Sequence, residues 1–450
     1  MENAYDLIVL GGGPAGRPAA IIARRTGASV LVVEQGPLGG TCPLRGCIPK
    51  KVLVASAEVM DDIRLAPSHR VTVSDAHLDW AGLIGLKQEI IAPIPGGFKK
   101  RLESLGIRVI TGRARFAGPS SIAVEGRVFR AKKIVIATGS KPRALPIPGF
   151  EHALNSDGLL ELTRKPSSVV FIGGGPIGME FAHVMVRAGV EVTVLDAAQR
   201  VLPAFDQDLA DRLVDFTREL GVRIHTGVGI DSITPAGSGF QTSFRQSEDS
   251  RTVESELVIN SAGRVADLEG LDLAAGGIET DARGNLVLDR YLRSVTNPDV
   301  LAAGDTVPAS PQLSPVATYE GRIAANNATS STLAAPDYRV VPFVVYTIPS
   351  LASVGLSQQE AQTLGVGFTT ETRDLALLRM GQIYAEQAAM SKVLVEEETG
   401  RILGAHLLGH GAQELVNIFG LAMKHGITSR ALREFLFAFP TFSSDIPDML

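Results

Sequence analysis

Asp6-Leu7-Ile8-Val9-Leu10-Gly11-Gly12-Gly13-Pro14-Ala15-Gly16 is a short apolar run that ends in spaced glycines. It reads as a buried strand followed by a turn, then a helix to about Gly27 and a second strand from Val30 to Glu34, which is the βαβ unit that binds dinucleotides. Each glycine has a separate job: Gly11 allows the tight turn, Gly13 lets the backbone approach a pyrophosphate, and Gly16 lets helix and strand pack closely. Pro14 and Ala15 complete the phosphate loop, and Glu34 can accept ribose hydroxyls. The construction returns 162 residues later as Val169 to Ile172, Gly173-Gly174-Gly175-Pro176-Ile177-Gly178, and Val192 to Asp196. In both copies the acid stands 18 residues beyond the last glycine. One such motif is a weak signal; two with matched strands and acids indicate a chain that binds two dinucleotides.

Directly after the first copy comes Gly39-Gly40-Thr41-Cys42-Pro43-Leu44-Arg45-Gly46-Cys47-Ile48-Pro49-Lys50, which holds both cysteines of the chain. On one regular helix a five-residue offset turns two side chains about 140° apart, too far to bond, but Pro43 and Gly46 can distort the helix enough to close the gap. A loop this short constrains the unfolded chain by only about 2 kcal/mol, so stability is a poor reason to have the bond. A redox pair is the better reading. The first nucleotide must then be the relay, a flavin able to pass electrons to sulfur, and the second copy holds the nicotinamide cofactor. Asp196 would repel a ribose 2'-phosphate, and Ala197 and Ala198 supply no arginine to bind one, which favours NADH; Arg200 is near enough to reverse that preference.

At 450 residues two to four domains are expected, and 45% hydrophobic with 20% charged residues is ordinary for a soluble protein. A net charge of -5 gives no reason to expect nucleic acid or an anionic membrane as partner. No apolar run reaches membrane-spanning length. The first strand begins near Tyr5, leaving no room for a cleavable signal, and two cysteines are too few for a secreted disulfide framework, so the expected compartment is reducing cytoplasm. No cluster suggests a metal site.

Taken together, these segments resemble the class I pyridine nucleotide-disulfide oxidoreductases, the group of dihydrolipoamide dehydrogenase, glutathione reductase and mercuric reductase. Ala137-Thr138-Gly139 resembles the exit from the first half of the flavin domain, and Ser261-Ala262-Gly263-Arg264 the end of the nicotinamide domain. Leu301-Ala302-Ala303-Gly304-Asp305 resembles the second flavin motif, whose aspartate holds the ribityl chain. The resemblance implies an α/β fold with two Rossmann-like domains, for FAD and NAD, plus a C-terminal α+β dimerisation domain. The implied boundaries are 1–147 and 265–335 for FAD, 148–264 for NAD(P) and 338–450 for a homodimer interface. It also implies flavin contacts at Gly40 and Thr41, Cys47 as the flavin-proximal sulfur that forms the charge-transfer thiolate, and Cys42 as the outer sulfur that exchanges with substrate. Lys50 matches the family lysine beside the flavin, and Glu180 the glutamate that pairs with it.

The tail departs from the pattern. Where the family ends in His-Pro-Thr-x-x-Glu, this chain has Phe439-Pro440-Thr441-Phe442-Ser443-Ser444-Asp445, and none of its eight histidines lies there. The usual general base is missing, Ser444 holds the glutamate position, and Asp445 is one residue out of register. The expected activity is an NADH-dependent, FAD-containing disulfide reductase, dihydrolipoamide dehydrogenase-like, acting on a small or carrier-bound dithiol or disulfide. Slow turnover is expected with ordinary lipoamide or glutathione disulfide. Phe439 keeps open an alternative, a flavoprotein reducing a quinone, metal, oxygen or pyridine nucleotide.

Overall fold

The computed structural model describes residues 3–308 and 310–450. The chain forms two compact units, each made of three segments. The first unit comprises Met1–Lys50, Leu86–Arg143 and Arg264–Tyr338, and the second Lys51–Gly85, Ala144–Gly263 and Arg339–Leu450.

The first unit is built on a seven-stranded sheet. Strand Ala4–Leu10 lies between Val30–Glu34 and Arg127–Ile136, parallel to both, and Arg108–Thr111 and Val300–Ala302 extend the parallel part. Its side chains alternate between two cores. Leu7 and Val9 pack with Ala19, Ala20 and Ala23 of the first helix, whereas Ile8 and Leu10 pack with Phe116 and Phe129 on the other face. A strand buried on both faces needs an unbroken apolar run, and Leu7 to Leu10 supplies it. Helix Gly16–Arg25 stops short of the expected Gly27, because Gly27 takes a left-handed φ of 92° and donates to the Arg24 carbonyl at 3.0 Å.

The second unit repeats the plan. Ser168–Ile172 lies between Glu191–Asp196 and Leu257–Asn260 in a parallel sheet, with Val169 and Phe171 facing one core and Val170 and Ile172 the other. Lys51–Gly85 belongs to this unit, since Leu53, Val54, Ala57 and Trp80 pack in the core that contains Phe171 and Met179. The last segment forms a five-stranded antiparallel sheet, Phe343–Val345, Ser350–Gly355, Ile402–Gly409, Met390–Glu396 and Phe368–Asp374. Helix Ala412–His425 covers it with Leu415, Val416 and Phe419. No helix among the described residues is long and apolar enough to cross a membrane.

Candidate active site

In the first nucleotide turn Gly11 has φ 105°, and a Cβ there would lie 2.2 Å from the Ala137 carbonyl oxygen. A Cβ at Gly16 would lie 1.9 Å from the Gly11 oxygen, so no larger residue fits at either position. Gly13 faces Gly40, with a built Cβ 3.6 Å from the Gly40 Cα, which brings the phosphate loop against the cysteine loop. Glu34 closes the unit: its Oε2 accepts from Gly12 N at 2.7 Å and its Oε1 from Gly36 N at 2.9 Å. The second copy reproduces this atom for atom. Asp196 Oδ2 accepts from Gly174 N at 2.5 Å and Oδ1 from Ala198 N at 2.7 Å. A Cβ at Gly173 would meet the Ser261 oxygen at 2.5 Å, and one at Gly178 the Gly173 oxygen at 2.1 Å, whereas Gly175 faces open space ahead of Pro176 and Ile177. Two backbone cradles with fixed carboxylates fit two dinucleotides.

The cysteine loop is two helices rather than a distorted one. Thr41–Arg45 ends at Gly46, whose backbone (φ −143°, ψ −113°) leaves the helical region, and a new helix runs from Cys47 to Leu65. The break cancels the 140° offset: Cys42 and Cys47, both reduced, come into side-chain hydrogen-bond contact. Cys47 keeps its proton and donates it to Cys42, which draws the Cys42 thiol down to about 6. The Ser314 hydroxyl and the Arg17 charge add to that shift. The same contact pushes Cys47 up, against a partial pull from Lys50. The proton shared by the pair lowers the Cys42 thiol and raises that of Cys47, while the resemblance puts the charge-transfer thiolate on Cys47. Lys50 is buried in the first turn of the second helix.

The second flavin motif is wired to Ser140 and Glu320, which sequence reading passed over, and to Arg264, which it placed at the end of the nicotinamide domain. Ser140 Oγ donates to Asp305 Oδ2 at 2.6 Å, and Arg264 in turn donates to Ser140, Nε to Oγ at 2.8 Å and Nη2 to the carbonyl at 2.6 Å. Arg264 therefore serves the aspartate of the first unit, although its motif resembles the end of the nicotinamide domain. Glu320, fully buried, accepts from Gly304 N at 2.6 Å and from Ser310 and Tyr338 hydroxyls at 2.5 Å, and burial raises its carboxyl. Thr138 Oγ1 donates to Asp267 O at 2.6 Å, which leaves Gly139 (φ 75°) to turn the chain. The signal for Ser140 was its place directly after Ala137-Thr138-Gly139; Glu320, fifteen residues past Asp305, carried none.

In the second unit Glu180 is buried, and its Oε1 accepts from Tyr346 N at 2.8 Å. Gly263 has φ 96° at the crossing between units of the chain. Arg200 donates Nη2 to the Pro203 oxygen at 3.0 Å, and its buried Nη1 has no hydrogen-bond partner among the described residues. In the tail Phe439 is 78% exposed. Ser444 is spent locally, its Oγ donating to Thr441 O at 2.5 Å, and Asp445 turns inward to accept from Met380 N. Among the described residues no His, Cys, Asp or Glu group could hold a metal ion.

The sequence profile of the pyridine nucleotide-disulphide oxidoreductases matches residues 5–321, and that of the family's dimerisation domain matches 341–450. A mercuric reductase of Bacillus cereus is 31% identical over 98% of this chain and 70% of its own length. A dihydrolipoyl dehydrogenase of Chlamydia muridarum is 32% identical over 98% and 95%. Among solved structures, the HOCl-induced flavoprotein disulfide reductase RclA from Escherichia coli superposes with a TM-score of 0.89 at 28% identity over 99% of both chains. A paired thiol beside a doubled nucleotide fold is what such relatives lead one to expect, and the chain belongs to the pyridine nucleotide-disulphide oxidoreductase family, as a flavoprotein disulfide oxidoreductase of the FAD- and NAD(P)H-dependent kind.

Proposed function

We propose that the chain is an NADH:disulfide reductase that works as a homodimer in reducing cytoplasm, with Cys42 exchanging with substrate and Cys47 facing the flavin. The observation that carries this reading is the thiol contact of Cys42 with Cys47 across the Gly46 break, directly behind the first nucleotide loop. The proposed flavin domain is 1–147 with 265–335, the nicotinamide domain 148–264 and the dimer domain 338–450. Gly11, Gly13, Pro14, Ala15, Gly16, Glu34, Gly40, Thr41, Ala137, Thr138, Gly139, Gly304 and Asp305 would hold FAD. Gly173, Gly175, Pro176, Ile177, Gly178 and Asp196 would hold the nicotinamide nucleotide. Exposed Phe435, Leu436 and Phe439 support burial against a second copy.

Held by these residues, FAD would supply two-electron transfer between a nicotinamide and sulfur. The protein's part is positional and electrostatic. Lys50, buried near Cys47, supplies positive charge to whichever anion forms beside it. Asp196, its two oxygens fixed by amides, presents a negative charge that repels a 2'-phosphate. Arg200 is tied to Pro203 rather than directed at that position, so NADH is the expected reductant by at least ~10-fold in kcat/KM.

Anaerobic titration with NADH tests the reading. Two electron pairs are expected per subunit, with a long-wavelength thiolate band that Cys47→Ser abolishes. Uptake of one pair would instead select the second reading, a reductase of a non-disulfide acceptor, which the exposed Phe439 favours.

A further inference from the structure

Cys42 lies among three elements of the first unit. Its own short helix, Thr41–Arg45, places it in contact with Cys47. Ser314, the first residue of the helix Ser314–Thr329, directs its hydroxyl to the Cys42 sulfur. That helix end is fixed in place: Thr318 Oγ1 donates to Pro14 O at 3.2 Å, and at Gly321 a Cβ would lie 2.1 Å from the Ala15 oxygen, so the two backbones touch. A helix of 16 residues carries partial positive charge at its start, which favours an anion there. The third element is the first helix, which carries Arg17. Its guanidinium lies over the Phe98 ring, 3.5 Å from the centroid, and its buried Nε has no hydrogen-bond partner among the described residues. An arginine clamped by stacking and without a carboxylate of its own spends its charge on the nearest anion. Cys42 is that anion, each raising the other's charged form.

We propose that Arg17 and the Ser314 helix end are positioning residues that hold Cys42 as the attacking thiolate, so that this enzyme dispenses with the base missing from its tail. The inference rests on Cys42 being the exchanging sulfur. Cys42 thiolate attacks one sulfur of a substrate RS–SR', the RS–SR' bond breaks, a Cys42–SR bond forms, and R'S⁻ leaves. Cys47 then gives up its proton to water and attacks Cys42. The Cys42–Cys47 bond closes and RS⁻ departs. The substrate has gained the two electrons the cysteine pair lost, and NADH replaces them. No step requires a histidine to remove a proton from Cys42. The charged groups that act on the pair are Arg17 from the first helix and Lys50 from the helix of Cys47.

Holoenzyme reduced with dithiothreitol and freed of excess reagent is alkylated with iodoacetamide between pH 4.5 and 9. Trypsin cuts after Arg45 and so separates the two cysteines, and peptide masses report each one. Wild-type Cys42 should be the residue alkylated, with a midpoint near pH 6. Arg17→Gln should move that midpoint up by about one unit and slow alkylation at pH 6 about fivefold. Arg17→Lys should restore most of it, which a role limited to packing on Phe98 would not produce. Ser314→Ala should shift the midpoint in the same direction and stands in for Arg17→Gln if that variant does not fold. An unchanged Cys42 midpoint in Arg17→Gln and Ser314→Ala would overturn the proposal while leaving Cys42 as the exchanging sulfur. Prior alkylation of Cys47 would overturn both.

Discussion

Phe439 removes a proton donor as well as a base. A histidine on the tail would protonate the thiolate that leaves the substrate; an exposed phenyl ring cannot, and Ser444 and Asp445 are engaged with Thr441 and Met380. Departure then depends on the intrinsic stability of the leaving thiolate, and low-pKa thiols leave faster. Dithiobis(nitrobenzoate) should accordingly be reduced with a kcat/KM at least ~100-fold above that of glutathione disulfide, and Phe439→His should narrow the gap by raising the aliphatic rate ~10-fold. Steady-state assays at pH 7 decide it; equal rates on the two substrates, or a gap untouched by Phe439→His, would mean the tail position plays no part in proton transfer. Cys42 and Cys47 stand out in the sequence as a pair because two thiols five residues apart, directly behind a nucleotide loop, suggest redox chemistry, whereas Lys50 and Glu180 are named only through the family resemblance. Arg17, Ser314, Ser140 and Glu320 do not stand out, since each acquires its role from a partner more than ten residues away: Arg17 and Ser314 from Cys42, Ser140 from Asp305 and Glu320 from Gly304. The neutral shape of Ser314 carries no chemical signature until the fold puts it beside sulfur.

Strands and helices were more readable than their joints. Val30–Glu34 and the start of Ala412–His425 fall where apolar periodicity puts them, because a strand buried on two faces and an amphipathic helix leave unambiguous patterns. The Gly46 break was visible only as a possibility of distortion, since nothing local says whether a glycine bends a helix or ends it. A less visible feature lies beside the short helix Arg379–Ile383. There Glu386, His410, Phe442 and Asp445 line a cavity of about 20 Å³, large enough for one water. The His410 and Phe442 rings that line it stack at 4.8 Å, and Tyr384 packs against them at 5.3 and 5.0 Å. Burial pushes the Glu386 carboxyl up to about 7, although its Oε1 accepts from His410 N at 3.2 Å. Between about pH 4.5 and 7 the folded chain keeps a proton that the unfolded chain has lost, so this contribution is full at low pH and disappears as pH rises through 7. The loss amounts to about 3 kcal/mol. Glu386→Gln keeps a neutral group in place, so the fall in Tm from pH 5 to pH 8 should shrink by about 3 °C. Thermal scans at the two pH values measure it, and parallel pH dependence in both proteins would show that Glu386 is charged throughout.

The two halves of the nucleotide machinery are the same device built twice, down to which carboxylate oxygen takes which amide: Glu34 with Gly12 and Gly36, Asp196 with Gly174 and Ala198. The third glycine of each motif is equally intolerant, with 1.9 Å from a Gly16 Cβ to Gly11 O and 2.1 Å from a Gly178 Cβ to Gly173 O. Both contacts are to backbone, which cannot rotate away, so an alanine at either position must push its helix off its strand and open the phosphate turn. The lesion is the same, but the consequence should differ with the ligand each copy serves. Gly16→Ala should purify with little or no flavin and an absorbance at 450 nm reduced several-fold. Gly178→Ala should stay yellow, bleach normally with dithionite, and respond to NADH only at concentrations ~100-fold above those the wild type needs. Because each variant is the other's control for general instability, the pair is more informative than either alone. Loss of flavin from Gly178→Ala together with its retention in Gly16→Ala would exchange the two assignments, placing the relay in the copy that begins at Gly173 rather than in the one that runs directly into the cysteines that must receive its electrons.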